Sequence, residues 1–119
     1  MNARADARAA EDAAADFLRR QGYQIARRNF ATHIGEIDIV AIEDGMVVFV
    51  EVKSRSSDAF GPPEAAVDRR KRAKLRRIAQ LFLERHGLTE SPCRFDVVAL
   101  TQAPQSAEGW KIELFRDAF

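Results

Sequence analysis

The sequence predicts one α/β domain, a helix–sheet sandwich with element order α-β-β-β-α-β-β, about five strands in mixed directions and helices flanking them. Three observations predict it. An Ala/Phe/Leu stripe recurs at helical spacing near the N-terminus, and two Val/Ile/Phe-rich runs flank Asp44-Gly45. A long basic segment then carries a second helical stripe, Leu75, Ile78, Ala79, Phe82 and Leu83. At 119 residues the chain has the length of a single domain, residues 1–119, and 46% hydrophobic with 31% charged residues is ordinary globular composition.

Each element follows from local chemistry. Over residues 5–20, Ala10, Ala13, Ala14, Phe17 and Leu18 share a helical face, and Gly22 supplies the stop. Residues 24–30 read as a first, weakly patterned strand, and residues 33–35 as a turn. Residues 36–42 and 46–53 are strands joined by Asp44-Gly45, a favoured two-residue hairpin turn. Residues 54–63, with Ser56-Ser57 and Gly61-Pro62-Pro63, read as a loop in which Phe60 packs beneath the chain or stacks on a base. Residues 64–86 form the long helix, ended by Gly87. Residues 95–100 and 110–115 supply the last strands.

Composition excludes several functions. No apolar run approaches the roughly 20 residues that span a bilayer, and the Ala/Asp/Arg-rich start lacks the apolar stretch of a signal peptide. A soluble cytoplasmic protein is the resulting expectation. Cys93 is the only cysteine, which excludes an internal disulfide and a thiolate zinc site, and His33 and His86 lack metal-ligand spacing. Both histidines are expected to be structural or surface residues.

The hairpin is where chemistry enters. Counting outward from Asp44-Gly45, Ile42 meets Val47, Val40 meets Phe49, Asp38 meets Glu51 and Glu36 meets Lys53. Directly opposed residues have Cβ atoms about 4.5–5.5 Å apart on one face, so two carboxylates are forced together. A divalent cation compensates such a pair, and Mg²⁺ or Mn²⁺ prefers oxygen ligands. Lys53 lies two residues beyond Glu51 on the same face, placed to orient a water or to stabilise charge on a phosphate. Alternatively, Glu36, Asp38, Glu51 and Lys53 form the solvated face of an edge hairpin. Val40, Phe49, Ile42 and Val47 share that face and call for burial, which argues against the alternative.

Gly35-Glu36-Ile37-Asp38-Ile39-Val40-Ala41 and Val48-Phe49-Val50-Glu51-Val52-Lys53-Ser54-Arg55 resemble the YraN family of predicted endonucleases. That family belongs to the PD-(D/E)XK superfamily and is similar to archaeal Holliday-junction resolvases. The resemblance extends to Gly22-Tyr23, Arg28-Asn29, Phe60-Gly61-Pro62, Lys71, Arg94-Phe95-Asp96-Val97-Val98 and Ala118-Phe119. It implies a restriction-endonuclease-like fold and an acidic triad with lysine at Glu11, Asp38, Glu51 and Lys53. Glu11, Asp38, Glu51 and the backbone carbonyl of Val52 would hold Mg²⁺ or Mn²⁺. Ala10 precedes Glu11 where similar proteins usually show glycine, and Ile37 stands where the superfamily's proline would be.

Net charge is only +1, yet seven of the nine residues from 69 to 77 are basic: Arg69, Arg70, Lys71, Arg72, Lys74, Arg76 and Arg77. With Arg55, these are the expected nucleic-acid-binding residues, suited to neutralising phosphates without regard to sequence. Arg69, Arg76 and Arg77 are expected to point outward or sideways. Lys71 falls near the buried stripe, four residues before Leu75, and is expected to face the acidic site. The expected activity is metal-dependent hydrolysis of DNA, with branched or junction DNA as the analogy-based substrate. A homodimer is expected if junctions are cut, since symmetric cutting needs two sites. The alternatives are a non-catalytic nucleic-acid-binding or adaptor protein that keeps the fold, or a protein that acts only with a protein partner.

Overall fold

A computed structural model describes residues 3–56 and 67–119, with side chains from residue 7 onward. Its elements are α1 (Ala3–Arg20), β1 (Gln24–Ala31), β2 (Glu36–Glu43), β3 (Met46–Arg55), α2 (Arg69–Arg85), β4 (Cys93–Gln102) and β5 (Trp110–Phe115). The five strands form one sheet in the order β1-β2-β3-β4-β5. The β3–β4 pair is parallel and the other pairs are antiparallel. A parallel neighbour needs a crossover, and α2 lies within it. The α/β class and the helix-flanked mixed sheet agree with expectation.

Two apolar layers hold the sandwich together. On one side Ala10, Ala14 and Leu18 of α1 pack on Ile39, Ala41, Val48, Val50, Val98 and Leu100. On the other, Leu75, Ile78 and Phe82 of α2 pack on Ile37, Val40, Phe49 and Phe95. β2 and β3 are therefore covered on both faces, which is why they read as near-continuous apolar runs.

Chain reversals follow local rules. After α1, Tyr23 N–H donates to Leu18 O and Gly22 N–H to Arg19 O, with Gly22 at φ +97°. This is a Schellman closure, in which a left-handed glycine lets the chain satisfy the last helical carbonyls. Gly87 closes α2 in the same way, with Leu88 N–H donating to Leu83 O. At the hairpin, Asp44 (φ +50°) and Gly45 (φ +75°) are both left-handed, as a type I′ turn requires.

Two expected boundaries are corrected. α2 starts at Arg69, because Asp68 is extended and its carboxylate accepts from Lys71 N–H at 2.9 Å as an N-cap. Val67 and Asp68 are thus outside the helix, while Phe60, the Gly-Pro-Pro segment and Glu64 lie outside the described residues. β3 continues through Ser54 and Arg55, assigned above to a loop. The parallel ladder holds them, pairing Ser54 with Leu100 and Arg55 with Thr101.

A polar cluster ties distant parts of the chain together. Asp96, wholly buried, accepts from Tyr23 Oη at 2.7 Å, Arg94 Nε at 3.0 Å and Asp117 N–H at 2.9 Å. Arg94 also reaches Glu43, which in turn accepts from Arg116 at 2.6 Å. Tyr23 is pushed up to about 12 by burial and by its bond to Asp96, so it stays a neutral donor.

Candidate active site

The hairpin register predicted from Asp44-Gly45 is observed from Glu43↔Met46 through Ile39↔Val50, and there the β2–β3 ladder ends. Beyond it, β2 remains paired with β1 as far as Glu36↔Ala31, while β3 remains paired with β4 as far as Arg55↔Thr101. Asp38 and Glu51 occupy the point where the two strands stop pairing. Asp38 Oδ2 accepts from Val52 N–H at 2.8 Å, so a side chain satisfies a donor that the ladder no longer serves. The expected pairings of Asp38 with Glu51 and of Glu36 with Lys53 are not made, because the ladder ends before them.

Side-chain alternation also breaks at Asp38. Val40 packs toward α2 and Ile39 toward α1, as a strand requires, yet Ile37 packs toward α2 as well. The neighbouring strand carries a matching irregularity. Asn29 has φ +54° and is passed over between the pairs Arg28↔Ile39 and Phe30↔Ile37. Asp38 thus sits where the regular division between the two faces fails, and it feels carboxylates from several elements.

Its titration records this. Burial, then the negative charge of Glu51, push Asp38 up to about 7; the Val52 N–H opposes the shift, and Glu11 and Glu36 add to it. Asp38 therefore binds a proton more readily in the folded chain than at its ordinary value of 3.8. That contribution to stability is complete below about pH 4 and is lost as pH rises toward about 7. Asp38→Asn keeps the acceptor for Val52 and removes the charge. In metal-free buffer the variant should melt higher than wild type, and thermal melts should show the gap widening from about pH 4 to about pH 7.

Glu51 is buried, 8% exposed, and its Oε1 lies 2.8 Å from Lys71 Nζ and 3.7 Å from Lys53 Nζ. The two ammonium groups are unequal. Burial and the adjacent Lys71 pull Lys53 below its ordinary value. Burial would lower Lys71 too, but its bonds to Glu51 and Lys53 carry it above. Lys71 is the fixed cation of the pair, and Lys53 is the one that gives up a proton more easily.

Glu11 approaches from α1. Its carboxylate lies 3.6 Å from Arg28, whose guanidinium bonds Asp12 at 2.6 Å instead. Glu11 Oε1 is buried with no hydrogen-bond partner. A buried carboxylate oxygen needs a cation beside it, and the Arg28 guanidinium at 3.6 Å serves Glu11 in this conformation. As oxygen donors, Glu11, Asp38 and Glu51 are the kind a hard, oxygen-preferring ion takes. Among the described residues, no three acidic, histidine or cysteine side chains stand close enough together to enclose an ion in this conformation.

The basic segment divides by direction. Lys71 turns to Glu51, while Arg69 and Arg70 are exposed. Arg76, expected to point outward or sideways, is exposed and leans sideways, 5.7 Å from the Phe95 ring centroid and 5.5 Å from that of Phe119. Arg72 bonds Val67 O at 2.7 Å and also covers Phe119. Arg55 bonds Thr101 Oγ1 at 3.1 Å along the β3–β4 pair. Lys74 and Arg77 share a cleft with His33, a residue set aside above as unremarkable in sequence. Only the turn at residues 32–35 brings His33 there, and its lone spacing carries no signal of that.

The family model described as "Uncharacterised protein family UPF0102" matches residues 10–100, a span that holds Glu11, Asp38, Glu51, Lys53 and Lys71. A UPF0102 protein of Moorella thermoacetica is 51% identical over 90 residues, covering 76% of this chain and 75% of its own length. One from Syntrophus aciditrophicus is 43% identical over 109 residues, covering 92% and 84%. One from Caldicellulosiruptor saccharolyticus is 40% identical over 119 residues, with both chains covered in full. The residues that carry the YraN resemblance fall mostly within the matched span, and the chain belongs to the uncharacterised protein family UPF0102.

Proposed function

We propose that this protein is a metal-dependent endonuclease of the PD-(D/E)XK kind, acting on DNA. The observation that carries the reading is that Glu11, Asp38 and Glu51, from three separate elements, lie near enough for Glu51 and Glu11 to raise the titration of Asp38, with Lys53 and Lys71 on Glu51. Helix α1, strand β2 and strand β3 each contribute one acid, and structural economy does not explain such a concentration of like charge.

Glu11, Asp38, Glu51 and the Val52 carbonyl would hold Mg²⁺ or Mn²⁺. When bound, the ion would supply Lewis acidity toward a phosphoryl oxygen and a more acidic water. The protein's own groups do the rest. The Val52 N–H holds the Asp38 carboxylate in place. Lys53, shifted toward its neutral form, can hold the attacking water and accept its proton. Lys71 is free to exchange Glu51 for a phosphate oxygen, because both are anionic acceptors within reach of one ammonium. The basic residues beside the site would hold the backbone. Branched or junction DNA is the substrate suggested by similarity to resolvases, and two-site cutting of a junction would need a homodimer. A cytoplasmic setting fits that substrate; no helix among the described residues is long and apolar enough to cross a membrane.

One observation favours a second reading. Lys71 already neutralises Glu51, so the same fold could serve as a nucleic-acid-binding adaptor without cutting, alone or with a protein partner. Labelled linear, flapped and four-way-junction DNA, incubated with Mg²⁺ or Mn²⁺ and with EDTA, separates the two. Metal-dependent products from at least one substrate support the nuclease. Salt-sensitive binding with no product under any condition supports the adaptor.

A further inference from the structure

Two clefts beside α2 share Arg70 and Lys74 and so form one trough. The outer part, about 550 Å³, lies between His33 and Ile34 of the β1–β2 turn and Arg70, Lys74 and Arg77 of α2. The inner part, about 290 Å³, is bounded by Glu36, Lys71, Leu75 and Ile78. It ends at Lys71, whose ammonium is 2.8 Å from Glu51.

The cations of this trough are ordered. Arg70, Lys74 and Arg77 are four and three residues apart, hence on one side of the helix. They climb it over about 10 Å, long enough to meet more than one phosphate of a strand that runs along the helix. Arg72 and Arg76 lie elsewhere, committed to the rings of Phe119 and Phe95. Lys74 has a seat of its own. A Cβ on residue 35 would stand 2.7 Å from Lys74 Cε and 3.1 Å from its Nζ, so the stem crosses the chain where only glycine leaves room. Of the two acids at the edge, Asp68 is occupied in capping α2, and Glu36 stands beside the carboxylate centre.

We propose that this trough carries the sugar-phosphate backbone of one nucleic-acid strand to the Asp38–Glu51 centre, with Lys74, seated over Gly35, positioning a phosphate adjacent to the one that is cut. The proposal deepens the nuclease reading by assigning the strand's path, and its binding half stands without cleavage.

The test measures binding of a fluorescent twelve-residue oligothymidylate in EDTA, across a series of salt concentrations. Lys74→Met with Arg77→Gln removes two trough charges while keeping the stem over Gly35. Arg19→Gln with Arg20→Gln removes two from exposed positions on α1, and thermal melts check that both variants fold. The trough variant should bind about a hundredfold more weakly, roughly tenfold for each charge-assisted contact. Its salt slope should fall by about 1.4, roughly 0.7 for each phosphate on a single strand. The α1 variant should bind like wild type. Equal losses in both variants would overturn the track, as would displacement by polyglutamate as readily as by unlabelled oligothymidylate. If wild type cuts DNA and the trough variant cuts at the same rate, the track fails and the nuclease reading survives. If the trough variant alone loses binding in a protein that never cuts, the track stands and the nuclease reading falls.

Discussion

Glu51→Gln is expected to slow metal-dependent cleavage by roughly a hundred- to a thousandfold, the scale of losing one preorganised electrostatic group at a reacting phosphate. Gln keeps the shape of the side chain and removes the anion that a cation would need. It also releases Lys71, which is 37% exposed on its side chain and can return to solvent at small cost. Removing Glu51 relieves Asp38 of the second-largest cause of its raised titration, so Asp38 should titrate lower in the variant. Binding of DNA in EDTA should be retained. Single-turnover cleavage measured beside EDTA binding checks the expectation, and a variant that cuts as fast as wild type would remove Glu51 from the centre.

The largest loss of stability is expected at Asp96 rather than at any residue of the carboxylate centre. Asp96→Ala leaves the Tyr23 hydroxyl proton and the Asp117 N–H without their acceptor, and it takes from Arg94 one of its two carboxylate partners. Breaking a buried ion pair by deleting one member typically costs about 3–5 kcal/mol, against a total stability of about 5–15 kcal/mol for a domain. Urea unfolding should lose a large part of its midpoint, and the melting temperature should fall by on the order of 15 °C. Asp96→Asn keeps an acceptor for Tyr23 and should cost less. Equal stability of wild type and the Ala variant would show that the cluster is ornamental.

The two expectations mark what could and could not be read from residue order. Asp44-Gly45 fixes the hairpin, and the register counted outward from it holds for five pairs, as far as Ile39↔Val50, but not for Asp38–Glu51 or Glu36–Lys53. Counting alone could not find where the ladder ends. That depends on β3 continuing with β4 while β2 continues with β1, a competition between strands distant in the chain. Lys71 was legible because helical periodicity places it beside Leu75, and the structure turns it to Glu51. The start of α2 was misread although Asp68 is a good N-cap residue, since the apolar Ala65, Ala66 and Val67 before it extend a plausible helical pattern. The roles of Tyr23, Glu43, Arg94 and Asp96 had no local signal. Tyr23 and Asp96 lie 73 residues apart, and only the folded sheet brings them together.

The burial of β3 on both faces also bears on the chain before it folds. Met46 to Val50 are five consecutive apolar residues of high β-propensity, and β2 is hardly less so. Such windows are aggregation hazards while a nascent sheet waits for its partners. Glu51 and Lys53 end the one run, and Asp38 interrupts the other. The charges assigned to chemistry therefore also act as gatekeepers against association of unfolded chains. A sequence that discarded the activity would still need charges near these positions to stay soluble during synthesis. The polar Gln, which still interrupts the apolar run, is therefore a safer probe of Glu51 than Ala.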